Sequence, residues 1–454
     1  MVVKAFTTHI LHLDCAHKTA PCPHCGCRGR RKRTCFRRVR YAQYQVYAYL
    51  HITYGEYRAR CSCCKTFRNS PLGVGPKAQY HDSVRQLVVD RILLDGLNVQ
   101  RTLDAIARDF LIDLSPGFVY DVLRDEAARL NQTPNRRAVL KQFSGVLCVD
   151  ELHLGRFTLL LATDPLSDLP VAFALVDKND QAHMGRFLGN LATWGLRPRV
   201  VVTDGSTLYP SLLSRLWPQA QHQLCIFHVL QDINALVLDA VRRLRTRMRR
   251  QANKGRRAGK RGRPSRAAQA ARRRRGLSQK EKAAFVFKHR YLIVKRRENL
   301  TDQEQRELGL AISYLPELGV LRRFTDRIHW LMDTPKDQQQ AGCRRGAIVN
   351  DPEFQAVPEL AKALEQLAPE KFAKMMAYLK QPLDQRVRTN NHVERANRVV
   401  RFLEKVRYKW RKRRTLVRFL ALLMNRSWEE AFNRNEPGNG KPGKSKAKPR
   451  SIAA

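Results

Sequence analysis

Two short apolar runs, each closed by an aspartate, constrain this chain most: Val146-Leu147-Cys148-Val149 before Asp150, and Val200-Val201-Val202-Thr203 before Asp204. Consecutive apolar and β-branched residues of this length read as buried strands. The surrounding order is strand 145–150, strand 156–163, strand 170–176, helix 181–194, strand 199–203, helix 207–216, strand 221–226 and helix 228–245. Three strands joined by short turns, then helix, strand, helix and strand, predict an α/β sheet that begins as a meander. In such an open sheet the first and fourth strands can lie side by side, which brings Asp150 and Asp204 within range of shared cations. Gly205 suits a backbone turn directly after the second acid.

Two carboxylates held close at neutral pH repel unless a cation sits between them. With a third they form the oxygen-rich type of site that Mg²⁺ or Mn²⁺ prefers. A pair of such ions about 3.5–4 Å apart can serve an in-line phosphoryl displacement, with water or a DNA 3′ hydroxyl attacking. Between residues 380 and 410 the acids are Asp384, Glu394 and Glu404. Glu394 opens a helix expected from about residue 391, with Asn397 three positions on along one face. Glu404 sits in a Glu-Lys-Val-Arg run that reads as a surface ion pair, so Glu394 is the favoured third acid. Strand alternation sends Glu151 to the face opposite Asp150, toward solvent or a helix. Cys225 and His228 lie three apart at a strand-to-helix junction. No further pair of ligands stands nearby in sequence to complete a structural zinc site.

Charge narrows the partner. The 454 residues carry 85 Lys and Arg against 40 acids, a net +45, which calls for an anionic partner, and nucleic acid is the natural one. A membrane is not expected, because no transmembrane stretch is visible and the opening residues are too polar and short for a secretion signal. The cytoplasm, in association with the nucleoid, is the expected location. The most one-sided stretch, residues 242–276, holds only basic charges and few apolar anchors, and is expected to be mobile and to lie along phosphate. Within it Arg256, Arg257, Lys260, Arg261, Arg263, Arg272, Arg273, Arg274 and Arg275 are the candidate DNA contacts, joined by Arg407, Lys409 and Arg411 farther on.

The cysteines bunch near the start in metal-like spacing rather than as a disulfide framework. Cys22 and Cys25 form one Cys-x2-Cys pair, and Cys61 with Cys64 repeats the spacing, a four-thiolate set suited to structural Zn²⁺. Between the pairs a Tyr- and Val-rich stretch reads as ribbon strands with a turn at Tyr54-Gly55. So small a unit would draw much of its folding energy from the metal. Residues 78–131 come next as a helical segment, with Ser115 as N-cap and Pro116 in the first turn of its last helix. Two short helices with a tight connection could be a helix-turn-helix or a plain spacer.

The motifs together resemble the DDE transposases of the ISL3 insertion-sequence group. The Cys22-Pro23-His24-Cys25-Gly26 pair and the closing Cys-x2-Cys resemble that group's zinc finger. The stretch around Asp150 resembles its first catalytic block, and that around Asp204 the second. The third block, N-x3-E-x2-N before a basic helix, is similar to Asn390–Asn397 and the basic residues after it. Two positions depart: Arg395 stands where a small residue is usual, and Tyr408-Lys409-Trp410 where Tyr-Gly-aromatic is common. The resemblance implies a ribonuclease-H-like catalytic domain with a large helical insertion, and a metal-binding triad of Asp150, Asp204 and Glu394. It also implies roles for Cys225, His228 and Asn397 in shaping the site behind that triad.

The expected organisation is a zinc-ribbon-like head (1–75), a helical segment (78–131), the catalytic domain in two parts (145–240 and 383–430), a basic arm with helical insertion (241–382) and a disordered tail (434–454). The expected activity is Mg²⁺-dependent cleavage and strand transfer on double-stranded DNA, at element ends and target, by a homo-oligomer assembled on DNA. Two other readings stay open: a non-catalytic zinc-containing regulator on the same scaffold, and a hydrolytic nuclease that uses only water.

Overall fold

A computed structural model describes residues 9–43, 46–59, 65–69, 73–75, 77–130, 132–254, 277–333, 335–406 and 412–435. The chain divides into two compact units. The first comprises Met1–Arg137, His153–Phe157 and Asn397–Phe432, and the second Ala138–Leu152, Thr158–Ala396 and Asn433–Ala454.

The first unit opens with β1 (His9–Cys15), β2 (Thr19–Pro21), β3 (Arg28–Gln43), β4 (Val46–Ala59) and β5 (Thr66–Arg68), in the order β1-β4-β3-β2 with β5 also on β4. The long β3–β4 pair is antiparallel, whereas β1 joins β4 in parallel. Its apolar content is divided between two small clusters, Ala20, Cys22, Tyr57 and Phe67 in one and Val39, Leu50, Ile52 and Val74 in the other. The expected turn at Tyr54-Gly55 is not there: both residues lie inside β4, opposite Cys35 and Thr34. Glycine is needed for a different reason. A Cβ at Gly55 would sit 2.5 Å from the ring of Tyr57, itself fully buried, so the strand keeps a bare backbone where that ring crosses it.

Three helices come after the strands, α1 (Asp82–Leu93), α2 (Val99–Phe110) and α3 (Pro116–Arg129), and α4 (Gln132–Gln142) leads out of the unit. Ser115 caps α3 as its spacing predicts, accepting from the Phe118 amide at 3.1 Å. The acids of α3 are neutralised: Asp125 and Glu126 by Arg85, Asp121 and Asp125 by Arg124, and Glu126 again by Arg129.

The second unit is built on β6 (Val146–Leu154), β7 (Phe157–Asp164), β8 (Leu169–Val176), β9 (Val200–Thr203) and β10 (Gln221–Leu224), in the order β10-β9-β6-β7-β8. Pairs β6–β9 and β9–β10 are parallel and β7–β8 is antiparallel, a mixed sheet of the ribonuclease-H-like kind. The first and fourth strands of the meander reading are therefore neighbours, with Val146, Leu147 and Cys148 opposite Val200, Val201 and Val202. Helices α5 (Gln181–Thr193) and α6 (Pro210–Leu216) alternate with the later strands.

From β10 the chain enters α7 (Ile226–Lys254) and then α8 (Gln279–Lys288), α9 (Asp302–Tyr314), α10 (Leu318–Met332), α11 (Gln338–Val349), α12 (Pro352–Gln355), α13 (Pro358–Glu365) and α14 (Pro369–Met375). These helices share one apolar core, in which Val237, Val241, Phe324, Ile328 and Leu360 are wholly or almost wholly buried. The basic stretch that begins at residue 242 departs from the mobile segment expected of it, because residues 242–254 continue α7. Leu244 and Met248, one turn apart, are buried as anchors, and Arg243 pairs with Glu359 and Arg247 with Glu317. Its remainder, with Arg256 through Arg275, lies outside the described residues. The returning chain forms α15 (Asn391–Val406) and α16 (Arg413–Asn435); Arg407, Lys409, Arg411 and residues 436–454 are also outside the described set.

Replacing Gly55 with Ala should destabilise the β3–β4 region by about 1–3 kcal/mol, the usual penalty for an added methyl in a filled space. Urea unfolding of the full chain, followed by tyrosine fluorescence, measures it. An unchanged midpoint would mean that the Tyr57 ring is not confined as described.

Candidate active site

The β6–β9 ladder stops at Cys148 opposite Val202. Just beyond it, Asp150 on β6 and Asp204 after β9 emerge at the same end of the sheet. Asp204 is turned into place by Gly205, whose φ of +96° favours glycine, and its Oδ1 accepts from the Ser206 amide at 2.9 Å. One carboxylate oxygen each from Asp150, Glu151 and Asp204 lies within 4.8 Å of the others.

Glu151 belongs to this group against expectation. Alternation places it on the other face only while a strand has ordered neighbours on both sides. Past Cys148 the β9 side is open, although β6 itself runs on to Leu154, so Asp150 does not end the strand. The longer glutamate side chain reaches the acids, and its Oε1 accepts from the hydroxyl of fully buried Tyr209 at 2.8 Å. Burial pushes the Glu151 carboxyl up to about 7; the Tyr209 bond opposes the rise, and the charges of Asp204 and Asp150 add to it. Neither Glu151 nor Tyr209 was singled out from sequence. The available signal was the Tyr209-Pro210 end of the second block, where a large aromatic follows the acid closely.

Glu394 lies in a neighbouring group. One ligating atom each of Cys225, His228 and Glu394 lies within 4.8 Å of the others, and His228 Nε2 is 3.8 Å from Glu394 Oε1. The acid that follows Cys225 and His228 so distantly in sequence is thus close to both in space. The His228 imidazole is raised to about 9, first by its hydrogen bond with Cys225, against desolvation, with the charges of Cys225, Glu394 and Asp204 adding to the rise. Asp204 and Glu394 therefore both act on His228, which links the two groups.

The approach of Glu394 depends on a residue to which sequence reasoning gave no role of its own, Asn390. It is fully buried. Its amide donates to Cys225 Sγ at 3.2 Å, its Nδ2 donates to the Val149 carbonyl at 3.0 Å, and its own carbonyl accepts from the Glu394 amide at 3.1 Å. Nearby, the Ile226 amide donates to the Arg388 carbonyl, and His392 Nε2 meets Asp168 Oδ1 at 2.8 Å. These bonds fasten the first turn of α15 against β6, β10 and the β7–β8 turn. Asn397, expected behind the triad, is buried and belongs to the first unit. His222, expected at the surface, is instead largely buried and bonds Thr203 Oγ1 at 2.9 Å; burial lowers its imidazole to about 4.

The residues present suit divalent cations. Three carboxylates this close favour a counter-cation, their donors are hard oxygens, and Glu394 Oε1 is buried without a hydrogen-bond partner. Cys225, His228 and Glu394 could also hold a metal, although the Cys225 sulfur already accepts the Asn390 amide. In the head, only half of the expected zinc set can be placed. Cys22 is buried, Cys25 is exposed, and the Gly26 amide closes a tight turn on the Cys22 carbonyl at 2.8 Å. Cys61 and Cys64 lie outside the described residues.

A family model for DDE transposases of the ISL3 group, described as "Transposase", matches residues 147–417, more than half of the chain. The chain belongs to this transposase family. The match takes in the sheet, both acidic groups, the helical insertion and the start of α16, and leaves the cysteine-bearing head and α1–α4 outside it. No match was found among the curated proteins. Family membership and the Asp150/Glu151/Asp204 cluster together support a metal-dependent nuclease or transposase activity in general terms. No helix among the described residues is long and apolar enough to cross a membrane.

Glu151 offers a check on the site without DNA. A carboxyl harder to ionise in the fold than in the unfolded chain stabilises the fold fully below its unfolded value near 4.5, and that contribution is lost as pH rises through about 7. The stability of the wild type relative to Glu151→Gln should therefore fall across this window in EDTA. Added Mg²⁺ should shrink the fall by favouring the ionised form. Urea unfolding of both proteins at several pH values measures it, and a flat difference in EDTA would refute the environment assigned to Glu151.

Proposed function

We propose that this protein is a transposase that binds the terminal inverted repeats of its element, cuts DNA strands there and joins the freed 3′ ends to target DNA. The observation that carries the reading is the convergence of Asp150 and Asp204 at the ends of neighbouring parallel strands, in a chain of a transposase family. In this reading Asp150, Asp204 and Glu394 hold Mg²⁺ or Mn²⁺, with Glu151 as an added carboxylate beside them. Such ions, when bound, supply Lewis acidity at the phosphoryl group and ease deprotonation of the attacking hydroxyl.

The chain's own groups do the positioning. Tyr209 fixes one oxygen of Glu151, leaving the other toward the acids. Asn390 ties the helix that bears Glu394 to the strand that bears Asp150. His228, protonated at neutral pH, puts a positive charge beside Glu394 and offsets repulsion among the acids before DNA and ions arrive. Cys225 anchors Asn390 rather than facing the reaction.

DNA contacts are proposed for Arg256, Arg257, Lys260, Arg261, Arg263, Arg272, Arg273, Arg274 and Arg275 and for Arg407, Lys409 and Arg411, whose guanidinium and ammonium groups position phosphates without reading sequence. The head and the α2–α3 pair are proposed to specify the element ends, in a homo-oligomer assembled on DNA at the nucleoid. Zn²⁺ held by Cys22, Cys25, Cys61 and Cys64 would fold the head, and the Cys22–Gly26 turn supports that placement.

Single changes Asp150→Ala, Asp204→Ala and Glu394→Ala should each lower Mg²⁺-dependent cleavage of an inverted-repeat duplex by about 10²–10³-fold or more, as loss of a transition-state stabilising group does. End binding should persist. Near-normal cleavage by Asp204→Ala would rule out the triad, and cleavage that never yields a strand-transfer product would identify a hydrolytic nuclease instead.

Elemental analysis should find one tightly held zinc per chain. The double change Cys22→Ser/Cys25→Ser should remove it and impair end recognition more than general DNA affinity. Less than half an equivalent in metal-replete protein with a folded head would overturn the structural-zinc proposal.

A further inference from the structure

The catalytic core has a second concavity at the end of the sheet opposite the acids. A cavity of about 1080 Å³ is bounded by the later part of α5, the segment entering β9 and the connection from α6 to β10. Arg199 directly precedes β9 and Asp204 directly follows it. At about 3.3 Å per residue the two positions stand roughly 16 Å apart along the strand. The cavity is therefore distinct from the carboxylate site.

Its lining carries three arginines, Arg186, Arg197 and Arg199, several side-chain amides and no carboxylate. The local sequence explains the placement. Arg197, Pro198, Arg199 and Val200 alternate exposed, buried, exposed and buried, so the extended segment presents both guanidiniums to the same side. Buried Trp217 backs the cavity, its Nε1 donating to the Leu196 carbonyl at 3.0 Å.

The partners of these arginines distinguish the cavity from the helical insertion, where Arg243, Arg296 and Arg322 each meet a carboxylate. Arg197 Nη1 donates to the carbonyls of Ala192 and Leu196, at 3.0 and 3.1 Å. Arg199 Nη2 donates to the Ser144 carbonyl at 2.9 Å and to Gln385 Oε1 at 2.7 Å. These neutral acceptors orient the guanidiniums and leave their charge uncompensated. Fixed positive forks in a concave wall with amide donors and no acid match the oxygens of phosphate.

We propose that this cavity is a phosphate-binding site, and that the phosphate it takes is a backbone phosphodiester of DNA outside the segment held at the acids. The assignment to DNA rests on the transposase reading; the phosphate chemistry does not. A free phosphate ligand would offer the same oxygens, so the test separates the two sources.

Binding is measured on the full chain in EDTA, so that cleavage, and hence the fate of the catalytic reading, does not enter. The variant Arg186→Gln/Arg197→Gln leaves Arg199 and its structural bonds in place. Anisotropy of a labelled random duplex across a salt series should show the dependence of log affinity on log salt flattened by about 0.9 per lost contact, or about 1.8 for two. Arg186→Lys/Arg197→Lys should keep the wild-type slope. If the double glutamine variant does not fold, Arg186→Gln alone, on the exposed face of α5, should flatten the slope by about 0.9. Inorganic pyrophosphate, titrated calorimetrically, tests the other source. Binding that the double variant abolishes while the duplex slope holds would overturn DNA as the carrier and retain the phosphate site. An unchanged slope with no pyrophosphate binding would overturn the proposal altogether.

Discussion

The parallel pairing of β6 with β9 is the contact on which the rest of the site depends. Val146, Leu147, Cys148, Val200, Val201 and Val202 are all buried there, at 2% exposure or less. Burying a valine or leucine side chain is worth about 1.5–3 kcal/mol, so a few such residues can offset the repulsion of acids gathered at the strand ends. From that ladder the site is assembled outward. β10 adds to the free side of β9 and delivers Cys225 and His228. Cys225 then receives Asn390, and Asn390 sets the start of the helix that carries Glu394.

Each anionic group at this end of the sheet is met by a specific device. Glu151 has the Tyr209 hydroxyl, Asp204 has the Ser206 amide, and Glu394 has His228 close by. Among the described residues, no lysine or arginine forms an ion pair with any of these three acids. Full charge compensation by guanidinium would fill the oxygens that a divalent cation needs. A neutral hydroxyl, an amide and one imidazole hold the carboxylates while leaving oxygens free, as Glu394 Oε1 is. Elsewhere arginine does pair with acid, and in the helical insertion the Arg243–Glu359 and Arg296–Asp333 pairs are examples.

The basic stretch shows how a strong compositional signal can conceal order. By charge alone, residues 242–276 read as one solvated arm. Its beginning is instead helix, because Leu244 and Met248 continue the buried stripe of α7 and two arginines find acids far off in sequence. Two apolar residues one turn apart are a weak pattern among so many arginines. They count only once helices from elsewhere in the chain supply a surface to bury them.

The sequence by itself determined the elements of the catalytic core, since apolar runs, caps and turns are local properties. The order of strands and helices from β6 to α7, the cap at Ser115 and the turn at Gly205 were legible in this way. It also marked Asp150, Asp204 and Glu394, because a few acids at element ends stand out in so basic a chain. Only the tertiary structure decided which side chains share space with them. Glu151 joined the acids because β6 loses its neighbour past Cys148, which a rule of alternation cannot register. Gly55 proved to be the place where a ring crosses a strand, and Asn390 the joint between the first and third blocks. Each of these depends on residues distant in sequence, and local pattern carries no information about which distant group arrives.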